Sequence, residues 1–239
     1  MIIILVLVNK RKKIKLRAAL EKVERMNEKT VLELKTKQLQ MSPHFLSNAM
    51  QNAQGLILSD QREKARSYIN ALSILSRKIL EHSRMDNITL EEEILMIKNY
   101  LNLEKLTKNG GFKYNLELDD KLDPKRLLIP PLLIQPLVEN AIKHGIKELK
   151  EEGKIHIRFN YISAVKSACT IHDNGAPSSG QFALKDSAEK SLSMQVIKKR
   201  LELLHGKEGD WLQFSPSGKN TLGNLCKIIF PVQKINDEF

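Results

Sequence analysis

Three short stretches of this chain carry side chains suited to phosphate chemistry. Glu139-Asn140-Ala141-Ile142-Lys143-His144 lies in the most apolar segment, residues 127–144. On a helix, Asn140, Lys143 and His144 share a face at i, i+3 and i+4. An amide oxygen can ligate Mg2+, and an ammonium can neutralise phosphate oxygens. The plainer alternative is the polar face of an amphipathic helix. Asp173-Asn174-Gly175 closes an alternating apolar stretch. A carboxylate at a strand end can accept from the exocyclic amine of a purine, and a glycine lets backbone approach a ligand closely. Taken alone, the tripeptide is a common turn. The third stretch is residues 42–48, where His44 directly follows Pro43 in a segment of helical spacing. A neutral imidazole, with an unperturbed pKa of about 6.5, is a competent nucleophile. Phe45 stands beside it and Asn48 one turn on. A lone histidine is otherwise a hydrogen-bonded structural residue.

The elements that must position these groups follow from periodicity. Residues 14–41 are charged and helix-favouring, with no glycine or proline. Leu20, Val23, Leu34 and Met41 mark a heptad seam that suits a dimeric coiled coil. A proline at 43 removes one backbone donor and bends or loosens a helix that runs through it. A polar break at residues 58–61 precedes a second helix over 62–84, with Ala65, Ile69, Leu72, Leu75 and Ile79 on one face. Two helices joined this way read as an antiparallel hairpin, and two hairpins as a four-helix bundle. Thr89 and Glu92 form a capping box that opens a third helix, ending near Lys108. From Phe112 the period changes to two, through Tyr114, Leu116 and Leu118, before Asp119-Asp120 turns the chain.

Pro130-Pro131 suits a helix start, and Gly145 stands where a C-terminal glycine cap belongs. Strands follow over 155–161 and 167–172. After a loop over 176–190 that has the length of a lid or binding loop come a helix over 189–204 and strands over 211–215 and 225–231. The fold class is α+β: a dimeric helical-hairpin domain, then an α/β sandwich with helices on one face of a mixed sheet. The boundaries are 1–13 for an apolar and basic leader, 14–88 for coiled coil and hairpin, and 89–239 for the sandwich.

At 239 residues with net charge +11, the composition is that of a globular protein. Much of the charge sits in Lys10, Arg11, Lys12, Lys13, Lys15 and Arg17. No aromatic interleaves this cluster, so it carries no sign of single-stranded nucleic-acid binding. Residues 1–8 are apolar but too few to span a bilayer, which needs about 20. Apolar first and basic second is the order at the cytoplasmic side of a membrane helix. The stretch reads as the stub of a membrane segment or an interfacial anchor, with a frayed helix start as the alternative. Cys169 and Cys226, in alternating apolar segments, read as reduced core residues of a cytosolic compartment.

Together these stretches resemble the sensor histidine kinases of the LytS type, whose ATP-binding domain has the fold shared with gyrase and Hsp90. The family's N-P-H-F-L-F-N motif corresponds to residues 42–48, and its Y-L-x-x-E-K-L helix to residues 100–106. Its I-P-P-x-x-x-Q-P-L-V-E-N-A-x-K-H-G signature stands at residues 129–145 almost letter for letter, and D-N-G follows at 173–175. The resemblance implies autophosphorylation of His44 from ATP and transfer to an aspartate on a response regulator. It further implies Asn140 as Mg2+ ligand, Lys143 and His144 near phosphate, Asp173 and Gly175 at the base, and Glu139 orienting. Asn48 belongs to the phosphoacceptor motif. A homodimer on the cytoplasmic face of the membrane is implied as well. Departures are Ser42 and Ser47 in the first motif, Ala176 and Pro177 after D-N-G, and Ser191 and Ser193 where the family has lid glycines. They motivate the alternative of a catalytically impaired homologue acting as scaffold or heterodimer partner.

Overall fold

The computed structural model describes residues 11, 14, 43–107, 111–146, 149, 152–175, 188–206, 209–216 and 223–235. The expected apolar stub, nearly all of the coiled coil and the lid loop over 176–187 lie outside the described residues. So do the side chains of residues 43–48 and 188–193.

Helix α1 (Pro43–Leu58) and helix α2 (Arg62–His82) form the expected hairpin. Pro43 is the first described residue of α1. The chain reverses through Asp60, which adopts a left-handed φ of 55°. The buried stripe of α2 is Ala65, Tyr68, Leu75, Ile79 and His82, with Leu72 half-buried. The expected stripe needs one correction: Ile69 is off it and 47% exposed. The 3-4 alternation from Ala65 runs through Tyr68, whose ring is apolar although its hydroxyl accepts from Asn52 Nδ2 at 3.4 Å.

Strand β1 (Ile88–Thr89) leads into helix α3 (Leu90–Thr107). The capping box forms as expected: Thr89 N–H donates to Glu92 Oε2 at 2.8 Å, and Glu92 N–H to Thr89 Oγ1 at 3.2 Å. Such a cap contributes about 1 kcal/mol. Helix α3 buries Leu90, Ile94, Ile97, Tyr100 and Leu101 and packs against α2.

Strand β2 (Phe112–Leu118) begins the main sheet. Next, the helix expected to start at Pro130-Pro131 starts later, and a strand precedes it. Strand β3 (Leu127–Ile129) pairs antiparallel with β1, and helix α4 (Gln135–Asn140) starts only afterwards. The residue before a proline is pushed towards extended backbone, and here both Ile129 and Pro130 precede one. Helix α4 continues as a π-helical turn over Ala141–Gly145.

Strands β4 (Gly153–Ser163) and β5 (Lys166–Asp173) form a long hairpin, followed by helix α5 (Ala188–His205). Strand β6 (Leu212–Pro216) and strand β7 (Asn224–Pro231) complete a sheet of order β2-β4-β5-β7-β6. Only β2 and β4 run parallel among these neighbours, so the sheet is mixed. Strand β8 (Gln233–Lys234) joins β3 and β1 in a small second sheet. Burial alternates strictly along β7, and the inward row of Ile155, Ile157, Phe159, Cys169, Ile171, Cys226, Ile228 and Phe230 is apolar. That row shares one core with Ile97, Leu101, Val138, Ile142, Ile197 and Leu201 of the helices. The other face carries polar groups, such as Glu117 beside His156 and Arg158, both at 3.2 Å. A one-residue slip of register would exchange the two faces, so the pattern fixes the pairing.

Candidate functional site

Asp173 ends β5 in the inward row, opposite Ile155 on β4 and Asn224 on β7. It is the one carboxylate in a mostly apolar row that also holds Ser167 and Asn224, and it is buried. Its Oδ1 accepts from the Gly175 N–H and from Asn224 Nδ2, each at 2.9 Å. Burial pushes its carboxyl above the usual range, while Asn224, Gly175 and the neighbouring His172 pull it back. Asn174 turns away: its Oδ1 accepts from Lys154 N–H at 2.6 Å, and its Nδ2 donates to Glu152 O at 2.9 Å. That side chain fastens the loop to the start of β4.

Glycines surround Asp173 at close quarters. A Cβ on Gly145 would lie 2.5 Å from Asp173 Cγ, and one on Gly175 would collide with the Gly145 carbonyl. Gly223 has φ +130°, and a Cβ there would strike the Asp173 carbonyl. Gly145 therefore corrects the sequence expectation in its reason, though not in its type. It is not a left-handed helix cap, since its φ is not among the positive ones. It is glycine because the π-turn lays its backbone against Asp173.

The end of the π-turn thus meets the end of β5, with Gly145 against Asp173 and Gly175, and Glu139, Asn140, Lys143 and His144 precede Gly145 along the same helical segment. The π-turn widens the spacing beyond Asn140, and Ile146 N–H reaches Ala141 O at 3.1 Å. Lys143 pairs with Glu139, four residues back, both half-buried. Asn140 is half-buried and His144 exposed. His44 lies in the first turn of α1, with Asn48 one turn later, on a different element. Ser191 and Ser193 lie within α5, so that helix runs through both positions.

A glycine-lined carboxylate can accept from an exocyclic amine, and one amide and one ammonium stand a short distance along the helix. Among the described residues no group of three His, Cys, Asp or Glu could hold a metal. Mg2+ here would be carried with phosphate oxygens and the single amide of Asn140.

Asn224, Gly223 and Glu93 were not singled out from the sequence. Asn224 and Gly223 lie about 50 residues from Asp173 and meet it only through the β5–β7 register. Glu93 left a usable signal: within Glu91-Glu92-Glu93 it alone falls on the apolar face with Leu90, Ile94 and Ile97.

Comparison with known proteins bears on the same chain. The histidine kinase family model matches residues 32–111, which include α1, α2 and α3. Over 196 residues the chain is 32% identical to the sensor histidine kinase/phosphatase LytS of Staphylococcus aureus. That match takes in 79% of this chain and 33% of the relative, so the chain spans about a third of the length of the curated relatives it matches. Among solved structures, the histidine kinase domain of the Erythrobacter litoralis blue-light activated kinase aligns at 16% identity and a TM-score of 0.45, covering 84% of this chain and 95% of its own. Histidine kinase ThkA, solved with response regulator protein TrrA, aligns at 16% identity and a TM-score of 0.43, covering 88% and 65%. The chain carries a histidine kinase segment over residues 32–111. It is related to the sensor histidine kinases of the LytS type.

Proposed function

We propose that this chain is the kinase core of a two-component sensor, moving a phosphoryl group from ATP to His44 and onward to a response regulator aspartate. The observation that supports this most is the glycine-walled Asp173 beneath the end of α4, on a chain related to LytS. Asp173 reads the adenine amine, with Gly175 and Gly145 giving it room. Asn140 contributes an amide oxygen to Mg2+, Glu139 orients, and Lys143 and His144 meet phosphate oxygens. To do so the Lys143 ammonium exchanges Glu139 for phosphate, a swap between two anions. The neutral His44 imidazole attacks the γ-phosphorus as the bond to the β-phosphate oxygen breaks, and ADP leaves. Little covalent work falls to the protein, so positioning and charge neutralisation dominate.

Residues 14–88 form the dimerisation and phosphoacceptor unit and residues 89–239 the ATP-binding unit. Met50, Ile57, Leu58, Ile69, Ile74 and Leu80 leave large apolar side chains exposed on the hairpin, which a second copy would cover. The basic N-terminal segment lies at the cytoplasmic face of a membrane; no described helix is long and apolar enough to cross one.

Incubation with γ-labelled ATP tests the reading. The parent should acquire acid-labile, base-stable label, and His44→Gln should lose it with nucleotide affinity nearly unchanged. Full label in the variant would move the acceptor elsewhere, with His82 next in line. A second reading, a homologue impaired in catalysis, is favoured by serines at 191 and 193 inside α5. Restoring both glycines costs roughly 1 kcal/mol each in helix stability. On that reading the double variant binds ATP about tenfold more tightly, as one regained charged hydrogen bond would give, and ADP less so. No gain removes the support for impairment.

A further inference from the structure

We propose that Glu93 is a positioning residue of the nucleotide site, fixing the start of the helix that carries Glu139 and Asn140. This rests on the ATP-binding role proposed above. Glu93 sits on α3 with 0% of its surface exposed. Its Oε2 accepts from Leu132 N–H at 2.9 Å, and its Oε1 from Ile134 N–H at 3.0 Å and Gln135 N–H at 3.3 Å. Helix α4 begins at Gln135, and its N-cap residue, Ile134, has no side-chain oxygen with which to cap it. The free donors that every helix start leaves are therefore met from about 40 residues away.

The turn being held is one that would not hold itself. Leu132 has φ +57°, the left-handed region that a branched side chain resists. Glu93 grips this residue's N–H, while Arg200 of α5 donates from Nη1 to Pro131 O at 2.7 Å. The turn is thus fastened from α3 on one side and from α5 on the other. Both Glu93 oxygens face backbone donors and accept from them. Burial raises its carboxyl above the usual range, and the three backbone N–H groups and the Arg200 charge only partly offset this.

The consequence lies one turn further on. In a helix each residue of register rotates a side chain by roughly 100°, so the start of α4 sets the direction of Asn140. Asp173 takes its hydrogen bonds from Gly175 and Asn224, neither of which lies on α4. Losing the Glu93 grip should disturb the metal-dependent part of binding and spare the base contact.

The test uses the whole chain with ATP in Mg2+ and ATP in chelator, plus amide exchange at Leu132, Ile134 and Gln135. Glu93→Gln keeps the shape but replaces one acceptor oxygen with a donor. It should weaken Mg-ATP binding by about tenfold, as expected for one charged hydrogen bond, and metal-free ATP much less. Exchange at Leu132 or Ile134 should quicken. Equal losses in both conditions would mark Glu93 as a general fold residue and overturn the proposal, as would unchanged binding. If Glu93→Gln does not fold, Arg200→Gln loosens the same turn from outside the core and should show the same metal-selective loss. Equal binding to the parent in that variant overturns the proposal too. A parent that binds no ATP under either condition instead removes the proposed function, and this inference with it.

Discussion

A methyl group added at Gly145, Gly175 or Gly223 collides with Asp173 or with the backbone beside it, whereas one added at Gly55 in α1 meets nothing within 4 Å. The same residue type is an obligation in one region and a tolerated choice in the other. Around Asp173, three backbone segments converge at distances that leave no room for a side chain, each held by a register or a hydrogen bond. In the hairpin one face of each helix packs, through Ala49, Ala53, Leu56, Leu75 and Ile79, while Met50, Ile57 and Ile74 stay open. A site that must hold a small ligand needs fixed atoms. A hairpin proposed to associate with another copy needs open surface.

Substitutions can break or sharpen that contrast, beginning with the largest effect. Gly175→Ala sets a methyl against the Gly145 carbonyl, a clash of backbone with side chain that no rotamer relieves. Overpacking of this kind costs about 1–3 kcal/mol, so ATP binding should fall by about 5- to 150-fold in a titration. Wild-type affinity would show that the convergence at Asp173 is looser than its geometry. Next, Ile57→Glu with Ile74→Glu puts charges on the open hairpin faces. A homodimer built there should dissociate with a constant raised more than about tenfold, because burying such a side chain contributes about 1.5–3 kcal/mol. Sedimentation that finds the double variant as dimeric as the parent would place the interface elsewhere.

A smaller effect is expected at the junction of the two regions. His82, at the end of α2, is buried, and neither ring nitrogen has a hydrogen-bond partner among the described residues. Burial holds its pKa below the usual value; Lys78 adds to that, while Glu92 and Glu81 oppose it. The depressed folded pKa means that its contribution to stability is present above about pH 6.5 and fades as pH falls below that. The melting temperature should therefore drop between pH 7.5 and 5.5, and His82→Leu should flatten part of that slope. Parallel slopes in the two proteins would assign the pH dependence to other groups. The smallest change expected is Gly55→Ala. It should stabilise α1 by about 0.5–1 kcal/mol, measured by denaturant unfolding, since helical glycine is costly and the space is open. A loss of stability there would mean that the hairpin is as tightly constrained as the site.

Residues whose conformation is set by their immediate neighbours were legible in the sequence alone. The Thr89–Glu92 capping box, the alternation along β7 and the placement of Asp173-Asn174-Gly175 at a strand end all emerged as expected. What escaped was set by partners distant in sequence. Residues 127–129 became a strand because β1 and β8 pair with them. Ile69 lost its buried place because the packed stripe runs through Tyr68 instead. Gly145 owes its identity to Asp173, Asn224 reaches Asp173 across a sheet ladder, and Glu93 caps a helix about 40 residues away. A period of 2 or 3.6 is a property of the chain itself and can be read along it. Which buried carboxylate meets which backbone donor depends on the closed core, and only the tertiary structure decided that.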